Sequence, residues 1–258
     1  MCYAIITGAS KGIGKAIAKN LAARNYNVLL VARSEDQLSF TAGEIKSQYP
    51  QIDVQYFALD LSERNAGRKL LEWVQQNNFP VCILVNNAGY GLSGEFDKYT
   101  EKEYINMLDL NIITLTKLTY HFLPLLRRES QAYILNIASI AAYQAVPYLS
   151  LYAASKSFVL AFSRGLHQEL LHSNVSVTCV SPGPTDTYFI TRAGVGDKGV
   201  KAAEKVNMTP EAVAEIAVKA LFNKRAEVIT GFLNKLSAFM AWLLPKSWVE
   251  RIAMQIYR

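Results

Sequence analysis

Tyr3-Ala4-Ile5-Ile6, running straight into Thr7-Gly8-Ala9-Ser10-Lys11-Gly12-Ile13-Gly14, is the stretch that decides the fold. The four apolar residues predict a short buried strand. After them Ile13, Ile17, Ala18 and Leu21 keep helical spacing, which predicts a helix over 16–24. Glycines between a strand and a helix carry meaning that isolated glycines do not. Gly8 lets the chain turn sharply, Gly12 lets the backbone approach a pyrophosphate, and Gly14 lets the helix pack tightly on the sheet. The helix start, with its unpaired N–H groups and positive dipole end, then faces the anion, with Ser10, Lys11 and Ile13 in the same turn. The order here is Gly-x-x-x-Gly-x-Gly, which alone would be weak.

Outward from this stretch, strands and helices alternate. Apolar runs over 27–33, 53–58, 79–85, 133–138, 175–180 and 227–230 read as strands, with helical patterns between them. The run over 79–85 is almost wholly apolar, as a central parallel strand buried on both faces should be. Such alternation, with no repeat of 20–50 residues, implies an α/β fold with a doubly wound parallel sheet. The ends of these strands hold the candidate binding residues. A dinucleotide fold usually places an acid at the end of its second strand to bind a ribose 2′-hydroxyl. Here Ala32 stands there and Arg33 follows, so a 2′-phosphate should be preferred, with Lys11 as a second cation. The plain alternative for Arg33 is a solvated loop residue. Asp60 can accept from an adenine amino group or cap a helix beginning near Ser62, and both readings are open. Asn86-Asn87-Ala88-Gly89 offers small residues and amides across which a cofactor can lie. In Ser181-Pro182-Gly183-Pro184-Thr185-Asp186-Thr187, two prolines fix a turn, and Thr187 can bond a nicotinamide amide.

The chemistry is carried by Leu151-Tyr152-Ala153-Ala154-Ser155-Lys156. Tyr152 and Lys156 are four positions apart, so on a helix they project from one face. A phenol titrates near pH 10; a nearby ammonium favours phenolate and lowers that value. Moving it by roughly three units takes about 4 kcal/mol, within reach of one buried cation and other polar donors. The result is an acid/base for a carbonyl/alcohol pair. Ser139, at the C-terminal edge of a strand, can hold the substrate oxygen beside it. Asn111 lies among Leu108, Leu110, Ile112 and Ile113 in a long helix expected over 100–126. It either orients a water linking Lys156 to solvent or is a satisfied polar residue that kinks the helix.

The 258 residues are 51% hydrophobic, ample for one domain over 1–258, and the net charge of +6 is mild and scattered. No basic cluster is interleaved with aromatics, which argues against nucleic acid. Cys2, Cys82 and Cys179 are widely spaced and read as buried free thiols of a reducing cytoplasm. No spacing of cysteines or of His121, His167 and His172 suggests a protein-bound metal. No signal peptide pattern precedes the first strand and no apolar run reaches the roughly twenty residues that span a bilayer, so the expected compartment is the cytoplasm.

Together, Thr7 to Gly14, Asn86 to Gly89, Asn111, Ser139, Tyr152, Lys156 and Pro182 to Thr187 resemble the short-chain dehydrogenase/reductase family over residues 3 to about 231. The resemblance implies a Rossmann-type sheet of seven strands in the order 3-2-1-4-5-6-7. It also implies NAD(P)-dependent hydride transfer between a carbonyl and a secondary alcohol, with Tyr152 as acid/base. Lys156 would lower its pKa and hold the nicotinamide ribose, Ser139 would bind the substrate oxygen, and Asn111 would complete a proton relay. The pair Lys11 and Arg33 matches NADP-preferring members, and the ketoacyl- or hydroxysteroid-dehydrogenase-like reductases look most similar. The expected cofactor contacts are Gly8, Ser10, Lys11, Gly12, Ile13, Gly14, Arg33, Asp60, Asn87, Ala88, Gly89, Tyr152, Lys156, Pro182, Gly183, Thr185 and Thr187. Assembly as a homodimer or homotetramer is expected. A silent NADP-binding regulator and a sugar-nucleotide epimerase or dehydratase are the rival readings; the intact catalytic set argues against the first and the short C-terminal region against the second.

Two segments name no substrate. Residues 188–208, with Gly194, Gly196 and Gly199, read as a substrate lid. In the tail over 232–258, Leu233, Leu236, Phe239, Met240, Leu243 and Leu244 form one apolar face before Pro245, and Trp248, Val249 and Ile252 form another after it. Packing on its own fold or a sister subunit, walling an apolar substrate pocket, and docking on a membrane surface all fit that pattern.

Overall fold

Side chains of the opening strand β1 (Tyr3–Thr7) feed two different cores. Ala4 and Ile6 point to one side and Ile5 to the other, because successive residues of a strand face opposite ways. On the Ile6 side lie Ile17 and Leu21 of α1 (Gly12–Ala22), Ile45 of α2 (Glu35–Gln48), and Val218 and Leu221 of α7 (Pro210–Phe222). Against Ile5 pack Leu70 and Val74 of α3 (Ala66–Gln76) and Leu118 and Phe122 of α5 (Leu115–Leu126). Burying each such side chain contributes about 1.5–3 kcal/mol, so the two layers fix the register of the sheet between them.

This computed structural model describes residues 2–185 and 207–257, with 193, 194, 196 and 199–201 between them. Among these residues β2 (Asn27–Ala32), β3 (Val54–Ala58), β4 (Val81–Asn86), β5 (Ala132–Ile137), β6 (Val175–Ser181) and β7 (Glu227–Ile229) join β1 in one parallel sheet. Its order is 3-2-1-4-5-6-7, as expected. Strand order reverses between β1 and β4. Their C-terminal ends therefore part into a crevice, the usual ligand site of such sheets. α7 starts as the sequence implies, with Thr209 capping Ala212 N–H and Pro210 in the first turn.

The long helix expected over 100–126 is present without a break, as α4 (Glu101–Leu108), a π-helical turn at Asp109–Thr114, and α5. The wider turn holds Asn111, whose buried amide bonds across to other elements. Asp60 caps no helix: it accepts from Ser62 N and Oγ at 3.0 and 2.7 Å, while α3 begins only at Ala66. Finally, Cys2 and Cys82 are not free thiols but a disulfide with Cα atoms 5.8 Å apart. Tyr3 pairs with Val81 across β1 and β4, which sets Cys2 and Cys82 side by side. Cys179 is free and buried.

The tail forms α8 (Phe232–Leu243) and α9 (Lys246–Tyr257). It reaches its own fold through small or slender residues, Asn234, Ala238, Val249 and Ala253, while its largest apolar side chains stay exposed. Of the readings the sequence leaves open for the tail, packing on its own fold does not describe those side chains.

Candidate active site

Thr7 ties the two parting strands together. Its hydroxyl donates to Val85 O at 3.0 Å and accepts from Asn87 N and Ala88 N at 2.9 and 3.0 Å. Asn87 in turn donates through Nδ2 to Thr7 O at 2.9 Å. The chain turns at Gly8, with φ of +67°, a conformation that favours glycine. A Cβ on Gly14 would meet Gly8 O at 2.3 Å, so α1 lies directly against this turn. No side chain caps the start of α1, whose first N–H groups open toward the crevice.

On the other side of the crevice, Ala138 N and Ile140 N donate to Val180 O and Pro182 O, both at 2.8 Å. Ser139 thus stands where β5 and β6 end together. Its Oγ accepts from Ala141 N at 3.2 Å and caps a 3₁₀ turn, Ile140–Tyr143; the hydroxyl proton is not spent in that bond. Tyr152 sits in the first turn of α6 (Ser150–Glu169), 7% exposed, packed with Tyr90, Val146 and Leu149. Lys156 follows one turn later. Its Nζ donates to Ile137 O at 2.9 Å and lies 5.8 Å from the centre of the Tyr152 ring. Burial strips water from this ammonium and pulls its pKa down to about 8, with the Cys179 thiol a weak opposing influence.

Asn111 braces the arrangement. Its Nδ2 donates to Ser155 Oγ at 3.0 Å and Tyr90 O at 2.9 Å, and its Oδ1 accepts from Tyr90 N at 3.1 Å. Ser155 Oγ donates to Tyr152 O at 2.7 Å. One amide thereby links the loop after β4 to the helix that carries Tyr152. A Cβ on Gly89 would lie 2.8 Å from Asn111 Oδ1 and 3.5 Å from Lys156 Nζ, so Asn111, Lys156 and that loop meet at one point. With both amide protons spent, the side chain offers a relay water only the second lone pair of Oδ1.

These groups open into one cavity of about 730 Å³ at the C-terminal edge of the sheet. Its lining brings together Gly8, Ser10, Lys11, Gly12 and Ile13, then Arg33 and Asp60, then Asn87, Ala88 and Gly89, and Ser139, Tyr152, Lys156, Pro182, Gly183 and Thr185. Gly14 and Asn111 stand behind it, and Thr187 lies outside the described residues, as does most of the expected lid over 188–208. Thr185 forms a β-bridge with Met208 at the base of that segment, and Gly199 lines the cavity. Arg33 lies 3.9 Å from Asp60, both partly exposed. Sequence reading missed Tyr90, Leu110 and Leu149 in the lining. It also missed the bracing by Thr7 and Ser155. Both sit inside motifs already singled out, and that position was the available signal. A smaller cavity of about 300 Å³ lies beside Tyr148 and Tyr104, with Met254 of α9 in its wall.

A family profile described as short chain dehydrogenase matches residues 3–195. The very-long-chain 3-oxoacyl-CoA reductase of Anas platyrhynchos is 38% identical over 98% of this chain and 79% of its own. Ketoacyl reductase HetN of Nostoc sp. is 32% identical, covering 96% of this chain and 86% of that protein. A short-chain dehydrogenase from Sphingobium yanoikuyae, solved in complex with NADPH, superposes with a TM-score of 0.82 at 27% identity, covering 94% of this chain and 95% of that one. Profile match, sheet order and relatives agree, and the chain belongs to the short-chain dehydrogenase/reductase family.

Proposed function

We propose that this oxidoreductase interconverts a carbonyl and a secondary alcohol with NADP(H), using Tyr152 as the acid/base. The observation that carries this reading is the shared cavity: the Gly8–Ile13 turn, the Asn87–Gly89 loop and the Ser139, Tyr152 and Lys156 side chains line one space. Its volume of about 730 Å³ lies within the range of cofactor and ligand sites. The uncapped start of α1 suits a pyrophosphate. The end of β2 suits a 2′-phosphate, because Ala32 brings no carboxylate and Arg33 brings a guanidinium. Leaving Asp60 costs Arg33 little: an exposed ion pair is worth about 0.2–1 kcal/mol, and a charge-assisted bond to phosphate about 1.5–3 kcal/mol. NADPH in the complex of the Sphingobium relative supports the same choice.

Bound nicotinamide supplies the hydride for reduction and accepts it for oxidation. The residues of this chain do the rest. Ser139 holds the substrate oxygen through its hydroxyl proton. Tyr152 gives its phenolic proton to that oxygen, and the Lys156 ammonium stabilises the phenolate left behind. The proton returns from solvent by way of Lys156, with Asn111 holding the surrounding loop. Burial of Tyr152 and Lys156 keeps bulk water from competing for it. The single catalytic domain over 1–258 and the homo-oligomer belong to this same reading. The two curated relatives, named for ketoacyl and 3-oxoacyl-CoA reduction, point to 3-oxoacyl thioesters as the first carbonyls to try.

The test is oxidation of NADPH and NADH against a panel of ketones and 3-oxoacyl thioesters, with wild type and Arg33→Asp. Wild type should turn over a panel member with NADPH preferred. Arg33→Asp should weaken NADPH by about 10- to 100-fold, the loss of one charge-assisted phosphate contact, and leave NADH the better donor. Unchanged selectivity would remove Arg33 from the phosphate site. Tight NADPH binding without turnover of any carbonyl would favour a silent regulator.

A further inference from the structure

The tail helices are turned inside out. Along α8, Phe232, Leu236, Phe239 and Leu243 recur at i, i+4, i+7 and i+11, the spacing of an apolar stripe meant for burial. Yet all four are exposed, and the residues turned inward are the smaller Asn234 and Ala238. The stripe cannot readily roll inward, because α8 is fixed at its start. Asn234 is buried and donates through Nδ2 to Thr230 O at 2.8 Å. It also lies so close to the Pro182–Pro184 turn that a Cβ on Gly183 would come within 2.1 Å of it. α9 is held as well, since Ala253 enters the buried cluster around Tyr152.

We propose that α8 and α9 dock flat on the surface of an anionic lipid bilayer. Two observations select this occupant. The exposed charges are Lys235, Lys246 and Arg251, against the half-buried Glu250 alone, so the described tail is net positive. A second copy would bring a like set of cations to the same interface, whereas anionic headgroups complement them. The second observation is Trp242 and Trp248, 78% and 60% exposed on either side of Pro245. Amphipathic indoles rest at the headgroup level of a membrane, and large apolar residues flanked by lysine and arginine mark helices that lie in that plane. No helix among the described residues is long and apolar enough to cross a bilayer, so the contact is interfacial. Docking would bring the lipid surface beside the wall that Met254 and Tyr148 share.

Flotation of the full chain with vesicles tests this, using phosphatidylcholine alone and phosphatidylcholine mixed with phosphatidylglycerol, with tryptophan emission read in parallel. The full chain should float with the mixed vesicles and its emission should shift to the blue. Trp242→Phe with Trp248→Phe should abolish the shift, since Trp73 is stacked within the fold against Phe57. Leu236→Ser with Leu243→Ser should weaken binding more than tenfold. Lys235→Gln and Lys246→Gln should each weaken binding to the mixed vesicles about fivefold. All these variants should keep wild-type reduction of a water-soluble ketone. Failure to float with the mixed vesicles would overturn the proposal. So would indifference to phosphatidylglycerol, or a wild-type dimer that the double serine variant converts to monomer, which would assign the stripe to a second copy.

Discussion

Lys156 shows how the residue proposed to stabilise the Tyr152 phenolate can weaken the fold that holds it. Its folded pKa of about 8 lies below the ordinary 10.5, a difference on the order of 3 kcal/mol against keeping the charge at neutral pH. Between those two values the unfolded chain binds more protons than the folded one, so this group's contribution to stability rises as pH goes from 8 to 10.5 and is flat below 8. Lys156→Met removes both the charge and the bond to Ile137 O, and the lost bond returns about 1–3 kcal/mol of the gain. The variant should therefore be up to about 2 kcal/mol more stable than wild type at pH 7, with turnover lost. Its advantage should shrink toward pH 10. Denaturant unfolding of both proteins across that range checks this, and a stability gap that does not change with pH would contradict it. At this scale the sequence was legible wherever spacing encodes a helix face, as for Tyr152 and Lys156. Ser155 was not, because a serine in a helix gives no sign of the amide that will meet it.

Among elements, the 3₁₀ turn behind Ser139 is held from its far end. Tyr143 closes that turn and donates to Glu227 of β7, which also pairs with Arg164 of α6, while Ser181 Oγ lies 3.1 Å from the phenol oxygen. Burial, then the Glu227 bond, pushes the Tyr143 phenol well above its usual pKa, so it stays a neutral donor at any working pH. Tyr143 is thus a positioning residue for Ser139. Losing one such bond is worth about 1–1.5 kcal/mol, so Tyr143→Phe should lower kcat/KM by roughly tenfold while NADPH affinity holds. Glu227→Gln, which keeps an acceptor, should lose less than Glu227→Ala. Equal losses in the two Glu227 variants would make the contact merely structural. Nothing in the sequence pairs Tyr143 with Glu227, since β7 reaches β6 only through the assembled sheet. The π-helical turn at Asp109–Thr114 was hidden for a related reason: its local pattern is that of an ordinary helix, and only the partners of Asn111 distinguish it.

At the scale of the molecule, the sheet was legible because its central strands β1, β2 and β4 are buried on both faces and read as largely apolar runs, each followed by a turn. Pairings between distant parts of the chain were not. Cys2 and Cys82 are 80 residues apart and become neighbours only when β4 docks on β1. Thiol titration of denatured, unreduced protein should find one free cysteine, Cys179, and three after reduction; three before reduction would remove the disulfide. The account as a whole rests on the crevice bringing a cofactor site, Ser139 and the Tyr152–Lys156 pair into one cavity. Its most direct test is Tyr152→Phe, compared with wild type in NADPH affinity and in single-turnover reduction of a panel carbonyl. Affinity should match wild type while the rate of the chemical step falls by about 10²–10⁴, the usual worth of a general acid. A variant that binds NADPH and reduces the carbonyl at the wild-type rate would contradict the account.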